Sequence, residues 1–272
     1  LHNTAGPIRN ESYDWTQPVD GTNSALIWDE ITPFDEIPLL INPNSGWIVS
    51  ANQDPFRASA IKDNLNRSDY SKTLGIETKM TNRAYRVIEI FDNDKKFTEQ
   101  DLLDAKFDNE YSKESRSIKY LQNVLAQEYE EKEFQEAQAV LNAWDLKTDN
   151  NNRSAALGVC VLSEEWRAFM NRIDAPSSKE MFKKCIDEIK GSFGRVDPKW
   201  SEVNKLVRGD LALPIQGGPD TLRAVYGRPQ DDGTLKAVAG DGLVVSLSWD
   251  SAGNQESQSC LLYTSPSPRD YP

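Results

Sequence analysis

An amide side chain held at the end of a rigid strand can donate an N–H to the oxyanion of a tetrahedral intermediate. Losing one such donor costs about 10²–10³ in rate. Asn52 is placed for that work. It closes the run Gly46-Trp-Ile-Val-Ser-Ala-Asn52 and precedes the polar turn Gln53-Asp54-Pro55. The same placement also suits a residue that only closes a turn. Arg83 brings a cation to the start of a helical run, Asn82-Arg-Ala-Tyr-Arg-Val-Ile-Glu-Ile-Phe91, and Arg86 lies three residues on. For either arginine the plain alternative is a solvated helix face. Histidine chemistry is closed to this chain, because His2 is its one histidine. Neither a Ser-His-Asp triad nor a His-rich metal site can be built from it. Cys160, Cys185 and Cys260 show neither CxxC nor zinc-type spacing. The first two sit in helix-like stretches, where apolar filling is the expected role; a disulfide between them stays open.

The elements that must position these groups follow from periodicity. Residues 1–38 read as a loop-rich layer with scattered rings, Tyr13, Trp15, Trp28 and Phe34. Residues 46–52 alternate enough to predict a short strand after the Asn-Pro-Asn-Ser-Gly turn. Residues 53–72 form a long polar connection, of a length uncommon unless functional. Helical spacing of Ala84, Val87, Ile88 and Phe91 predicts a helix over 81–91. Thr98 caps a second helix around 101–107. Ile118, Leu121, Val124 and Leu125, then Phe134, Ala137, Leu141 and Trp144, predict one or two longer helices. Two more are expected over 154–171 and 179–190, the latter with a Ser177–Glu180 capping box. After Pro198 the pattern changes. Residues 211–215, 221–226, 235–238 and 243–249 read as strands, with turns at Gly217-Gly-Pro-Asp220 and Asp231-Asp-Gly233. Strand, then helices, then strands implies an α+β class.

The 272 residues are 38% hydrophobic, with seven Trp, nine Tyr and nine Phe. That is enough for a real core, and it argues against disorder. A net charge of −12 without a basic cluster speaks against nucleic acid as a partner. No apolar run reaches the roughly 18 residues of a membrane span. Cys260-Leu-Leu-Tyr-Thr-Ser-Pro-Ser-Pro-Arg-Asp270 reads as the in-frame translation of a transposase sequencing adapter. Residues 260–272 are therefore expected to be a non-native tail, and 1–259 the native part.

Residues 41–55, Ile-Asn-Pro-Asn-Ser-Gly-Trp-Ile-Val-Ser-Ala-Asn-Gln-Asp-Pro, resemble the oxyanion-hole segment of penicillin-acylase-type amidohydrolases. The match rests on Asn42-Pro43, Gly46-Trp47-Ile48, Asn52 and Pro55. The family also places an Arg at the start of a helix that ends shortly before a Thr cap. Arg83, followed by Phe97-Thr98, is similar; Arg86 is the alternative equivalent. Leu141-Asn-Ala-Trp144-Asp145 looks like a packing element of the same family. Residues 200–226, with Gly-Asp-Leu-Ala-Leu-Pro-Ile-Gln-Gly-Gly-Pro-Asp, resemble the late strands of the acyl-homoserine lactone and cyclic lipopeptide acylase branch.

The resemblance implies a partial β-subunit of an N-terminal nucleophile hydrolase, an αββα sandwich with a large helical insertion. The strand and oxyanion segment would span 39–56, the helical region 78–192 and the late strands 208–250. It implies hydrolysis of the linear amide of an N-acylated small molecule: a β-lactam, an N-acyl homoserine lactone or an acylated lipopeptide. Asn52 would supply the oxyanion N–H and Arg83 would organise the site. The nucleophile, an N-terminal Ser whose own α-amine is the base, would come from outside this chain. So would the α-subunit and the first part of the β-subunit. No cofactor is required for catalysis. The family often binds a structural calcium through carboxylates, and Asp63 and Asp69 lie in the corresponding loop region; such a site needs further oxygen ligands. Location would be periplasmic or secreted. The competing readings are a non-catalytic homologue that binds acylated ligands or plays a structural role, and an unrelated acidic α+β domain.

Overall fold

The computed structural model describes residues 6–93 and 95–261. His2 and residues 262–272 of the expected tail lie outside the described residues. The chain divides into two compact units, Leu1–Lys96 and Phe97–Pro272.

The described part of the first unit is built mainly from loops and 3₁₀ turns, with one α-helix. α1 spans Asn82–Phe91. It starts where expected because Thr81 caps it, accepting from the Ala84 N–H. Its inward stripe is Ala84, Val87 and Phe91, all buried, at the spacing that puts side chains on one helix face. The long connection after Asn52 is not featureless. It is pleated into 3₁₀ turns at Pro55–Arg57, Ile61–Asp63, Arg67–Asp69 and Lys72–Leu74. Near the start, tilted rings meet in a row: Tyr13 with Trp15 at 6.1 Å and Trp15 with Trp28 at 6.4 Å.

The strand expected over 46–52 does not form. The alternation itself is present: Trp47, Val49 and Ala51 are the more covered residues, and their neighbours are exposed. What is absent among the described residues is a ladder of backbone pairs, and a strand exists only as part of one. The Val49 N–H bonds the Ala58 carbonyl at 2.8 Å. The carbonyls of Trp47, Val49 and Ala51 accept instead from the side chains of Ser59 (2.8 Å), Gln53 (3.0 Å) and Thr81 (2.8 Å). Side chains stand where a neighbouring strand would.

The second unit is α+β. Its helices are α2 (Glu99–Lys106), α3 (Arg116–Leu125), α4 (Lys132–Asn142), α5 (Ala155–Asn171), α6 (Ser178–Phe193) and α7 (Trp200–Val203). The stretch expected to hold one or two longer helices therefore holds two, α3 and α4. Thr98 caps α2 in a reciprocal capping box with Asp101. The Ser177–Glu180 box is not made: Ser177 is the N-cap of α6 but contributes no side-chain bond. α5 is buried on most of its faces, as a central helix must be. Val124, Leu157, Val161, Phe182, Ile186 and Trp200 form the heart of the core around it. Gly158 lets α5 approach the Trp144 ring; a Cβ there would come within 2.2 Å of it. Cys160 and Cys185 form a disulfide between α5 and α6, with Cα atoms 5.9 Å apart.

Among the described residues six strands follow: β1 (Asn204–Arg208), β2 (Leu211–Pro214), β3 (Val225–Pro229), β4 (Leu235–Gly240), β5 (Leu243–Trp249) and β6 (Gln255–Leu261). The first four pair in the order β2-β1-β4-β3, with β1 and β4 parallel. β5 and β6 form a separate antiparallel hairpin. The strand expected over 221–226 begins only at Val225. Thr221 instead folds back: its hydroxyl oxygen lies 3.0 Å from the Gly218 carbonyl and 2.8 Å from the Arg223 carbonyl, its one proton serving either, and Asp220 adopts φ 60°. That is loop chemistry, in which a hydroxyl competes with the ladder. Among the described residues no helix is long and apolar enough to cross a membrane.

Candidate functional site

Asn52 is exposed and sits in the left-handed region, φ 64°. Asn tolerates this conformation better than most residues. Gln53 holds it there. The Gln53 side chain accepts from the Ala51 N–H at 2.6 Å and donates to the carbonyls of Val49 (3.0 Å) and Arg57 (3.1 Å). It thus spans the turn from both sides. Asp54, the next residue, is buried and caps the following 3₁₀ turn by accepting from the Phe56 N–H at 2.9 Å. Burial raises the pKa of its carboxyl above the ordinary aspartate value.

The approach to α1 grips the same turn. The Lys79 carbonyl accepts from the Asp54 N–H at 3.1 Å. Thr81, buried, donates its hydroxyl to the Ala51 carbonyl at 2.8 Å while accepting from Ala84 N–H at 3.1 Å. Arg83, in the first turn of the helix so anchored, places Nη2 2.8 Å from Asn52 Oδ1. The structure therefore brings the two predicted residues into direct contact. Arg86 faces elsewhere, pairing with Glu89 at 2.7 Å. Gln53, Thr81 and Asp54 were not singled out from sequence. The one signal available was their polarity within a short span around Asn52, which any surface turn shares.

The contact has a chemical consequence. A guanidinium has only donors, so its partner atom on Asn52 must be the carbonyl oxygen. With Oδ1 held, the Nδ2 amine is turned away from Arg83. Among the described residues it donates to no protein group, so it is available to an acceptor from solvent or substrate.

The two carboxylates expected near a calcium site, Asp63 and Asp69, make local hydrogen bonds. The Asp63 carboxylate accepts from the Ser45 N–H at 2.6 Å, and hydrogen bonds from Ser45 lower its pKa. Asp69 accepts from its own turn, from Asn66 at 3.4 Å. Among the described residues no group of three or more His, Cys, Asp or Glu could hold a metal ion. Elsewhere, Trp144 is a packing residue, with Nε1 bonded to the Lys147 carbonyl at 2.8 Å and its ring edge-on to Tyr111 at 5.7 Å. The second unit also contains a cleft of about 730 Å³ between α5, α6 and the β3–β4 pair. Its walls are largely apolar; of its charged residues, Arg167 pairs with Glu164 and Lys184 with Glu188, and Asp231 lines it as well. Ser163 in that cleft donates to the Cys160 carbonyl at 2.8 Å, so it is not poised as a nucleophile.

Compared with known protein families, residues 1–267 match the model described as penicillin amidase.

Proposed function

Because the chain belongs to the penicillin amidase family, whose kind of activity is amide hydrolysis, we propose that Asn52 is an oxyanion donor and that Arg83 orients it. The observation that carries this reading is the 2.8 Å bond from Arg83 Nη2 to Asn52 Oδ1. It leaves Nδ2 as the outward-facing donor. Such a donor acts where charge develops in the transition state, at the oxygen of the attacked carbonyl.

The chemistry is acyl transfer through an N-terminal nucleophile. A Ser at the start of the processed β-subunit attacks the amide carbon. Its hydroxyl proton passes to its own α-amine and then to the departing amine as the C–N bond breaks. Water hydrolyses the resulting ester and frees the acid. We place that Ser outside this chain, in the same precursor, together with the α-subunit and the first part of the β-subunit. The chain is then part of an αββα sandwich carrying a large helical insertion. The substrate is an N-acylated small molecule. The resemblance of residues 200–226 to the lactone and lipopeptide acylase branch favours long acyl chains, in a periplasmic or secreted enzyme. No step is assigned to calcium.

Two measurements test the reading. The isolated chain is expected to leave a chromogenic acyl-anilide intact; turnover would refute an external nucleophile. In the full-length enzyme, Asn52→Ala is expected to lower kcat by about 10²–10³. Wild-type kcat in that variant, or a precursor gene without a small-residue–Ser junction upstream of this segment, would remove the proposal.

A further inference from the structure

We propose that Thr81 is a positioning residue for the Asn52 donor, its hydroxyl setting the spacing between Asn52 and Arg83. The inference rests on the reading of Asn52 above. A threonine hydroxyl has one donor and two acceptor sites, and Thr81 uses both functions. It donates to the Ala51 carbonyl at 2.8 Å, on the peptide that leads into Asn52. It accepts from the Ala84 N–H at 3.1 Å, on the peptide that leaves Arg83. One oxygen atom therefore touches the backbone beside each member of the pair. Thr81 is only 5% exposed, so water does not readily replace either bond. The Asp54 N–H to Lys79 carbonyl bond, 3.1 Å, holds the far side of the same turn. With no strand paired along 46–52 among the described residues, these ties, with the Gln53 brace and the Arg83 bond, fix the direction of the Asn52 side chain. A misplacement of about 1 Å at a reacting centre can cost about 10²-fold in rate.

Thr81→Val keeps the shape of the side chain and removes the hydroxyl; Thr81→Ser keeps the hydroxyl. In the full-length enzyme Thr81→Val is expected to lower kcat by about ten- to a hundred-fold with KM unchanged, because the donor acts in the transition state. Thr81→Ser is expected to restore most of kcat. In an Asn52→Ala background, Thr81→Val should cost less than about two-fold more, since both changes then act on one interaction. Should the Val variant fail to fold, Thr81→Ala takes its place, compared at a temperature where both proteins are native by circular dichroism. Full additivity of the two substitutions would overturn the proposal. So would a Ser variant no better than Val, or a melting-temperature loss with kcat intact. If Asn52→Ala alone leaves kcat unchanged, the donor reading falls by that result, whatever Thr81→Val does, and this proposal falls with it.

Discussion

In the unit spanning Phe97–Pro272, backbone polar groups are met mainly by other backbone groups. Among the described residues six helices and six strands do this, and apolar side chains pack between them around α5 and α6. In the unit spanning Leu1–Lys96, the same need is met around the candidate site by side chains: Ser59, Gln53 and Thr81 serve three carbonyls of one extended segment. The first arrangement tolerates the loss of a single polar group, because each ladder or helix holds many equivalent bonds. The second does not, because each bond has one supplier. The contrast suits the two tasks. A packed core holds a shape, whereas a braced turn can leave one amide exposed in a fixed direction.

The largest expected effect breaks the packed unit. Phe182 is fully buried against Tyr129 and Phe134, with ring centroids 5.4 and 6.0 Å away. Phe182→Ala should destabilise by about 3–5 kcal/mol, read from the urea midpoint; a surface-like shift would show that this cluster is not what holds the unit. Next comes the Cys160–Cys185 bridge, whose partners are 25 residues apart in sequence. Reduction should remove about 3–4 kcal/mol by the chain-entropy relation. A melt insensitive to reductant, with three free thiols counted before its addition, would exclude the bridge.

In the braced unit, the Arg83–Asn52 contact is expected to respond in rate rather than in stability. Arg83→Met should raise the kcat barrier by about 1.5–3 kcal/mol, the range of a charge-assisted hydrogen bond. Arg86→Met should act on stability and leave kcat near wild type, because Arg86 pairs with Glu89. Equal losses of kcat would erase the distinction between the two arginines. The smallest effect concerns Asp54. Its carboxyl is raised by burial, so between its unfolded and folded pKa values the native state binds more protons than the unfolded state. Stability from this group is present below the unfolded value and is lost as pH rises through that window. Asp54→Asn keeps an acceptor for the Phe56 N–H and removes the ionisation. The variant should gain on wild type as pH rises from about 3 to about 7. A gain that is the same at both ends would sink this account.

Local rules explain what could be seen in advance. Thr98 as a cap, the burial of Ala84, Val87 and Phe91 from the expected stripe (Ile88 is only half-buried) and the strand over 243–249 depend on residues within one or two turns of each other, and these formed as expected. The α+β class followed from the order of those elements. The failures share a cause too. The strand over 46–52 had the right alternation, but a strand is a relation between two segments and its partner was not local. The start of β3 moved to Val225 because Thr221 closes onto Gly218, a choice between ladder and loop made by the surrounding contacts. Ser177 and Glu180 had capping-box spacing without the geometry.

The candidate site divides along the same line. The sequence by itself determined Asn52 as an amide before a polar turn and an arginine at a helix start, since residue type and helix register are local facts. Only the tertiary structure decided that Arg83 rather than Arg86 meets Asn52, that Cys160 pairs with Cys185, and that Thr81 and Gln53 hold the turn. Each of these is a distance between residues remote in the chain or a competition for one acceptor. Such outcomes depend on how the loops close, and no short window of sequence contains that information.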